Sequence, residues 1–70
     1  MSEDYLVLFA KNLIKIRQKK GLSQKELSEK SKIPLNYIKK IEVANNPRMK
    51  ISHVIKLAEA LGVNFFDLLP

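Results

Sequence analysis

The sequence predicts a single all-α domain of five short helices, and two observations lead to that prediction. Apolar residues recur at spacings of three and four near the start of the chain, as one helix face requires, at Leu6, Phe9, Leu13 and Ile16. Glycine, proline and helix-capping residues divide the remaining sequence into four further segments and leave no length for a sheet. With 70 residues, the chain is near the lower size limit for a self-sufficient core, so we expect one domain over residues 1–70.

The ends of the first two helices follow from local signals. The first helix is predicted over about residues 4–19, and Gly21 comes after it where a left-handed C-terminal cap is expected. Ser23 begins the second helix, because Ser23 and Glu26 have the S-x-x-E spacing of a capping box. Each of these two side chains would accept a hydrogen bond from the backbone N–H of the other residue.

Similar signals locate the last three helices. Pro34 opens the third, since its missing N–H costs nothing at the first helical position, and residues 45–47 break it. A fourth helix is predicted over about residues 51–61 and ends at Gly62, and Asn64 caps a short fifth. Apolar residues beyond the first helix are expected to complete one core: Leu27, Ile33, Ile38, Ile41, Val54, Leu57, Ala58, Leu61, Val63, Phe65 and Leu69.

Composition excludes several classes of function. The chain has no cysteine and a single histidine, so neither a disulfide framework nor a metal-ligand cluster is expected, and His53 is expected at the surface without a role. No apolar run approaches the roughly 18 residues of a membrane span, and no signal peptide begins the chain. No phosphate-binding glycine loop or nucleophile–base pair is recognisable. We therefore expect a small, soluble, cytoplasmic protein that is not an enzyme and has no cofactor, metal or evident small-molecule ligand.

The basic residues are concentrated in the middle of the chain. Residues 11–50 contain 12 of the 13 lysines and arginines and only three acidic residues, whereas residues 1–10 and 51–70 are slightly acidic. A basic region between near-neutral ends is typical of proteins that bind a polyanion such as nucleic acid. The alternative is a solvated lysine-rich surface without a partner.

The second and third helices are separated by a turn of about three residues, which is the arrangement of a helix-turn-helix. The segments GLSQKELSEK at residues 21–30 and NYIKKIE at residues 36–42 resemble the phage-repressor/Cro (Xre-type) helix-turn-helix family. The segment KLAEALGV at residues 56–63 resembles that family's fourth helix. The resemblance covers roughly residues 9–69 and implies a lambda-repressor-like fold, in which the third helix, about residues 34–43, enters the major groove of DNA.

Some positions agree with the family and others depart from it. Arg17 and Glu42 lie where the family has a partly buried ion pair between the first helix and the recognition helix; two unrelated surface charges are the alternative. Lys32 lies in the turn where glycine is common, so we expect a left-handed conformation there. Residues 43–50, VANNPRMK, replace the usual Arg-Gly-Lys and lengthen the loop after the third helix.

The resemblance also implies DNA contacts. Base edges would be contacted from the recognition helix and from the start of the second helix, by Leu35, Asn36, Lys40 and Gln24. Asn36 can form two hydrogen bonds with adenine, Leu35 can contact a thymine methyl group, and Lys40 can donate to guanine. Phosphates would be contacted by a broader set: Lys25, Tyr37, Lys39, Asn45, Asn46 and Arg48. The alternatives are a core position for Leu35, a half-buried ring for Tyr37 and ordinary solvated side chains for the lysines.

The apolar residues at both chain ends exceed what one buried helix face requires. The segments YLVLF and NFFDLLP contain our candidates for a self-complementary homodimer interface: Tyr5, Val7, Leu8, Phe66 and Leu68. A larger core within one subunit is the alternative. A dimer is expected because one such unit recognises only a few base pairs, and two units on an inverted-repeat operator supply the missing specificity.

These features predict a small stand-alone transcriptional regulator, a repressor or controller that binds double-stranded DNA in a sequence-specific manner. An antitoxin would use the same DNA-binding surface, although no disordered tail for gripping a toxin is evident. A protein-interaction adaptor would retain the fold without DNA recognition. Such an adaptor would have acidic residues or proline on the recognition face, where this sequence has Asn36, Lys39 and Lys40.

Overall fold

The computed structural model describes residues 4–45 and 48–70, which form five α-helices in the predicted order. The helices are α1 Tyr5–Lys19, α2 Gln24–Ser31, α3 Leu35–Glu42, α4 Ile51–Leu61 and α5 Phe65–Leu68. No strand occurs in these two ranges, so the all-α prediction is confirmed. None of the helices in the same ranges is long and apolar enough to cross a membrane.

Side-chain caps determine where the first two helices begin. Asp4 Oδ1 accepts a hydrogen bond from the Leu6 N–H (2.9 Å) at the start of α1. Ser23 and Glu26 form the predicted capping box at the start of α2: Ser23 Oγ accepts from the Glu26 N–H (3.0 Å), and Glu26 Oε1 accepts from the Ser23 N–H (2.8 Å). Pro34 is the N-cap of α3, with an extended ψ of 141°, so α3 begins one residue later than predicted.

A residue with a left-handed backbone conformation follows each of the first four helices. Among the residues that the structure describes, positive φ angles occur at Gly21, Lys32, Ala44 and Gly62. Lys32 is the C-cap of α2 with φ of 62°, as the sequence predicted, whereas the φ of 58° at Ala44 was not predicted. A residue with a β-carbon pays roughly 1–2 kcal/mol for this conformation, so contacts around Lys32 and Ala44 must offset that cost.

Hydrogen bonds around the α2–α3 turn provide such an offset. Ser28 Oγ donates to the Ile33 carbonyl oxygen (2.6 Å), and the Ile33 N–H donates to Ser31 Oγ (3.3 Å). Ile33 itself is buried in the core. The turn is therefore fixed from α2 on one side and from the core on the other, which sets the direction in which α3 leaves it.

The helices enclose one hydrophobic core. Its most buried large side chains are Phe9, Leu13, Leu27, Ile38, Leu57 and Leu68. The assignment of Leu68 to a dimer interface is wrong, because its side chain is completely buried within the subunit (0% exposed). Asn12 Nδ2 reinforces this position of α5 by donating to the Leu68 and Leu69 carbonyl oxygens (3.3 and 3.2 Å). The predicted core residues Val63, Phe65 and Leu69 are only partly buried against it.

Candidate nucleic-acid interface

Helix α3 has one buried face and one exposed polar face. Ile38, Ile41 and Glu42 are buried. Successive residues are rotated by about 100° on an α-helix, so the opposite face holds the exposed side chains of Asn36, Lys39 and Lys40, here called the recognition face. Leu35, at the start of α3, is half-buried, which lies between the two alternatives that the sequence left open.

A nearly buried ion pair anchors the end of α3 to α1. Arg17 Nε donates to Glu42 Oε2 (2.6 Å), and Arg17 Nη2 donates to Glu42 Oε1 (3.1 Å). The Arg17 and Glu42 side chains are 12% and 4% exposed. Arg17 Nη1 also donates to the Leu22 carbonyl oxygen (2.8 Å). The two side chains are thus not separate surface charges, and the bidentate geometry fixes α3 relative to α1.

Gln24, the first residue of α2, binds the same carboxylate. Its Nε2 donates to Glu42 Oε1 at 2.9 Å. An ionised carboxylate accepts hydrogen bonds and cannot donate them, so the amide nitrogen of Gln24 must face Glu42 and the amide oxygen must face away. Gln24 is half-buried, and its hydrogen bond to Glu42 fixes the orientation of its side-chain amide before any DNA contact is made.

Other predicted contact residues flank the recognition face. Lys25 is exposed in the first turn of α2, and Asn45 and Arg48 are exposed between α3 and α4. The Asn45 N–H donates to the Lys40 carbonyl oxygen (2.8 Å), which fixes where the chain leaves α3. Asn46 lies outside the described residues.

Tyr37 and His53 contact each other, which the sequence did not predict. The Tyr37 hydroxyl lies 2.9 Å from His53 Nδ1 and 3.4 Å from the Arg48 carbonyl oxygen. The two rings pack edge to face, with centroids 4.6 Å apart. Both residues are half-buried, so His53 is less exposed than the surface position expected from the sequence. One sequence signal indicated a contact at His53, although not the contact with Tyr37. His53 occupies the third position of α4, where a side chain can accept a hydrogen bond from the backbone N–H of the N-cap residue.

No group of three or more metal-ligating side chains occurs in residues 4–45 and 48–70. The exposed side chains among the predicted contact residues of α2, α3 and the segment after α3 are amides and cations. This combination matches the acceptor-rich base edges and phosphates of DNA better than it matches a metal ion or an acid–base reaction.

The fold and the recognition face define a helix-turn-helix protein of the class that binds DNA and regulates transcription. A family model described as helix-turn-helix matches residues 13–68. The chain belongs to this family and to its Xre-type members. It is therefore a small DNA-binding transcriptional regulator.

The solved structures that are similar to the chain include those of three proteins. The restriction-modification controller protein C.AhdI from Aeromonas hydrophila is 31% identical (TM-score 0.87), over 91% of this chain and 96% of that one. The hypothetical transcription factor NHTF from Neisseria is also 31% identical (TM-score 0.90), over 96% of this chain and 76% of that one. A mutant of the restriction-modification controller protein C.Esp1396I is 27% identical (TM-score 0.85), over 96% of this chain and 92% of that one. No curated protein matches the chain in sequence.

Proposed function

We propose that this regulator recognises a specific sequence of double-stranded DNA by placing α3 in the major groove. The main support is the recognition face: Asn36, Lys39 and Lys40 are exposed on a helix whose opposite face is buried. The ends of that helix are held by the α2–α3 turn and by the Arg17–Glu42 pair. Side chains at fixed positions on an anchored helix suit the reading of base edges, which demands defined geometry.

Asn36, Lys40, Leu35 and Gln24 form the proposed base-contacting set. Asn36 pairs its amide with N6 and N7 of an adenine, and Lys40 donates to O6 and N7 of a guanine. The exposed part of Leu35 contacts a thymine methyl group. Gln24 presents its amide oxygen away from Glu42, so it accepts from the amino group of an adenine or a cytosine.

The proposed phosphate contacts surround this set. Lys39 is exposed on the recognition face, and Lys25, Asn45 and Arg48 are exposed outside it. These contacts position the protein on the duplex and give it affinity without sequence preference. Tyr37 is not proposed to contact a phosphate, because its hydroxyl lies 2.9 Å from His53 Nδ1 and its single proton is used in that contact.

The proposed partner in the complex is a second copy of the chain. Large apolar side chains are exposed at Tyr5 (60%), Ile51 (64%), Ile55 (45%) and Phe66 (78%), here called the dimer surface. Ile51 and Ile55 are one turn apart on α4, and α4 packs against α5, which contains Phe66. Val7 and Leu8, the other interface candidates on α1, are half-buried.

Charge supports the same arrangement. The segment from residue 51 to residue 70 contains one lysine against two acidic residues, whereas the cations are concentrated in residues 11–50. Pairing through α4 and α5 therefore keeps like-charged surfaces apart and leaves both recognition faces free. A two-fold dimer of this kind binds an inverted repeat, with recognition helices about 34 Å apart.

The comparisons support a controller-type regulator. Two of the similar structures are described as restriction-modification controller proteins, and each matches this chain over more than nine-tenths of its own length. We propose that this chain likewise controls transcription by occupying an operator. Its DNA-binding face and its dimer surface lie in the same small domain.

The salt dependence of binding tests the nucleic-acid contact. If each subunit neutralises roughly four to six phosphates, the slope of log affinity against log salt concentration is expected to be about −7 to −11 for a dimer. Fluorescence anisotropy with a labelled duplex between about 50 and 200 mM salt gives this slope. A slope near zero would remove the electrostatic basis of the proposal.

A further inference from the structure

His53 lies where three parts of the chain meet: α3, the segment 48–50 and the start of α4. Its Nδ1 is 2.9 Å from the Tyr37 hydroxyl of α3 and 3.3 Å from the backbone nitrogen of Lys50. The Lys50 N–H can only donate, so Nδ1 accepts this hydrogen bond and the ring is neutral, with its proton on Nε2. The single Tyr37 O–H then donates to the same Nδ1, and the Arg48 carbonyl oxygen at 3.4 Å is a neighbour of the hydroxyl without its proton. The tautomer is thus set by the contacts of the ring.

This contact joins two parts of the proposed DNA-binding surface. Tyr37 follows Asn36 directly on the recognition helix, and its hydroxyl also lies 3.4 Å from the Arg48 carbonyl oxygen. Arg48 and Lys50 belong to the segment from which phosphate contacts are proposed. The neutral imidazole therefore links this segment to the helix that contacts base edges.

We propose that neutral His53 is a positioning residue for DNA binding: it holds the segment 48–50 against the recognition helix, and its protonation releases that segment. The inference rests on the proposed function, since it concerns the same DNA-binding surface. His53 itself does not touch DNA in this proposal and acts through its contacts with Tyr37 and Lys50.

The surroundings of His53 oppose its protonated form. A protonated Nδ1 would point an N–H at the N–H of Lys50, so this hydrogen bond must break. Burial lowers the pKa of His53 below its ordinary value, and the charges of Lys56 and then Lys50 act in the same direction. The positive end of the α4 dipole adds to the repulsion. The groups that face the ring are Tyr37, the Arg48 carbonyl, Lys50 and Lys56, and none of these is a carboxylate. The Tyr37 oxygen can accept from a protonated Nδ1 when its O–H turns to the Arg48 carbonyl oxygen, so the Lys50 hydrogen bond is the contact that protonation breaks.

The sign of the pH effect separates this proposal from simple electrostatics. Protonation adds a positive charge to a basic protein, and charge alone would strengthen binding to any duplex as the pH falls. Release of the segment 48–50 acts in the opposite direction and affects the specific complex most. The ratio of operator affinity to scrambled-duplex affinity is therefore expected to fall as His53 becomes protonated.

The test is a pH series with the full chain at constant ionic strength. Affinities for the selected operator and for a scrambled duplex are measured by fluorescence anisotropy between about pH 8 and about pH 5. Circular dichroism at each pH checks that the helices persist. The operator-to-scrambled ratio of the wild-type protein is expected to fall by about tenfold, which corresponds to about 1.4 kcal/mol.

Two variants assign the effect to His53. His53→Gln retains a side-chain oxygen that can accept from the Lys50 N–H and does not titrate, so its affinity ratio is expected to be independent of pH. Ser52→Ala, at the exposed neighbouring position of α4, is the matched control and is expected to follow the wild-type profile.

The outcomes distinguish the inference from the proposed function. One outcome is a wild-type protein that prefers an operator yet shows the same operator-to-scrambled affinity ratio at both ends of the pH series. That result would overturn the inference and leave the proposed function standing. Identical pH profiles for the wild-type protein and His53→Gln would do the same. The absence of any preferred duplex at the upper pH would overturn the proposed function and the inference together.

Discussion

Gln24 Nε2 donates a hydrogen bond to Glu42 Oε1 at 2.9 Å, and this contact joins the first residue of α2 to the last residue of α3. The same carboxylate accepts two hydrogen bonds from Arg17 of α1. One nearly buried side chain therefore fixes three helices relative to one another. The direction of the recognition face depends on this junction as much as on the α2–α3 turn.

Arg17→Ala is expected to lower the free energy of unfolding by about 3 kcal/mol, because it leaves the Glu42 carboxylate buried without its cation. Lys15→Ala, at an exposed position of the same helix, is the matched control and is expected to change stability by less than about 0.5 kcal/mol. Urea denaturation followed by circular dichroism measures both values. A double-mutant cycle with Glu42→Gln then isolates the pair, and a coupling energy below about 0.5 kcal/mol would contradict this role.

Lys32→Gly is expected to raise the free energy of unfolding by about 1 kcal/mol. Lys32 has φ of 62°, and glycine adopts this conformation without the cost that a β-carbon imposes. Lys30→Gly removes the same charge from a helical position two residues earlier and is expected to lower stability by about 1 kcal/mol. Opposite signs in thermal or urea unfolding support the left-handed turn; destabilisation by both substitutions would count against it.

Phe66→Lys is expected to convert a dimer into a folded monomer, because it places a charge at the most exposed side chain of the dimer surface. Val43→Lys alters another exposed apolar residue outside that surface and is expected to leave the dimer intact. Sedimentation equilibrium measures both states, and anisotropy measures the loss of full-site binding. A wild-type chain that sediments as a monomer at high micromolar concentration would exclude this interface.

The helical framework was predictable because its signals are local. The spacing of Ser23 and Glu26 predicts the capping box. Lys32 directly follows α2, at the turn position where the sequence predicted a left-handed residue. Each of these features depends on residues within a few positions of one another. The family resemblance supplied the longer connection between Arg17 and Glu42, which periodicity alone would not have identified.

The features that the sequence analysis assigned wrongly or did not predict depend on information that a short pattern lacks. Helix α5 has only four residues, so the sequence did not show that Leu68 faces the core while Phe66 faces solvent. Tyr37 and His53 are 16 residues apart and have no complementary charge to indicate their contact. Ala44 adopts φ of 58° in a loop that departs from the family pattern, so no glycine marked the turn.

The most direct test of DNA recognition by α3 is selection of bound sites from random duplexes at physiological salt, with three proteins in parallel. The wild-type chain is expected to enrich an inverted repeat with half-site centres about 10 base pairs apart, or a longer multiple of a helical turn. Asn36→Ala is expected to lose the preference at one base pair of each half-site, at a cost of about 1–3 kcal/mol on the original site. Lys39→Ala, the control on the same face, is expected to keep the motif while it weakens binding to all sequences. Failure of the wild-type chain to enrich any motif, or an Asn36→Ala motif identical to that of the wild type, would contradict base reading through α3.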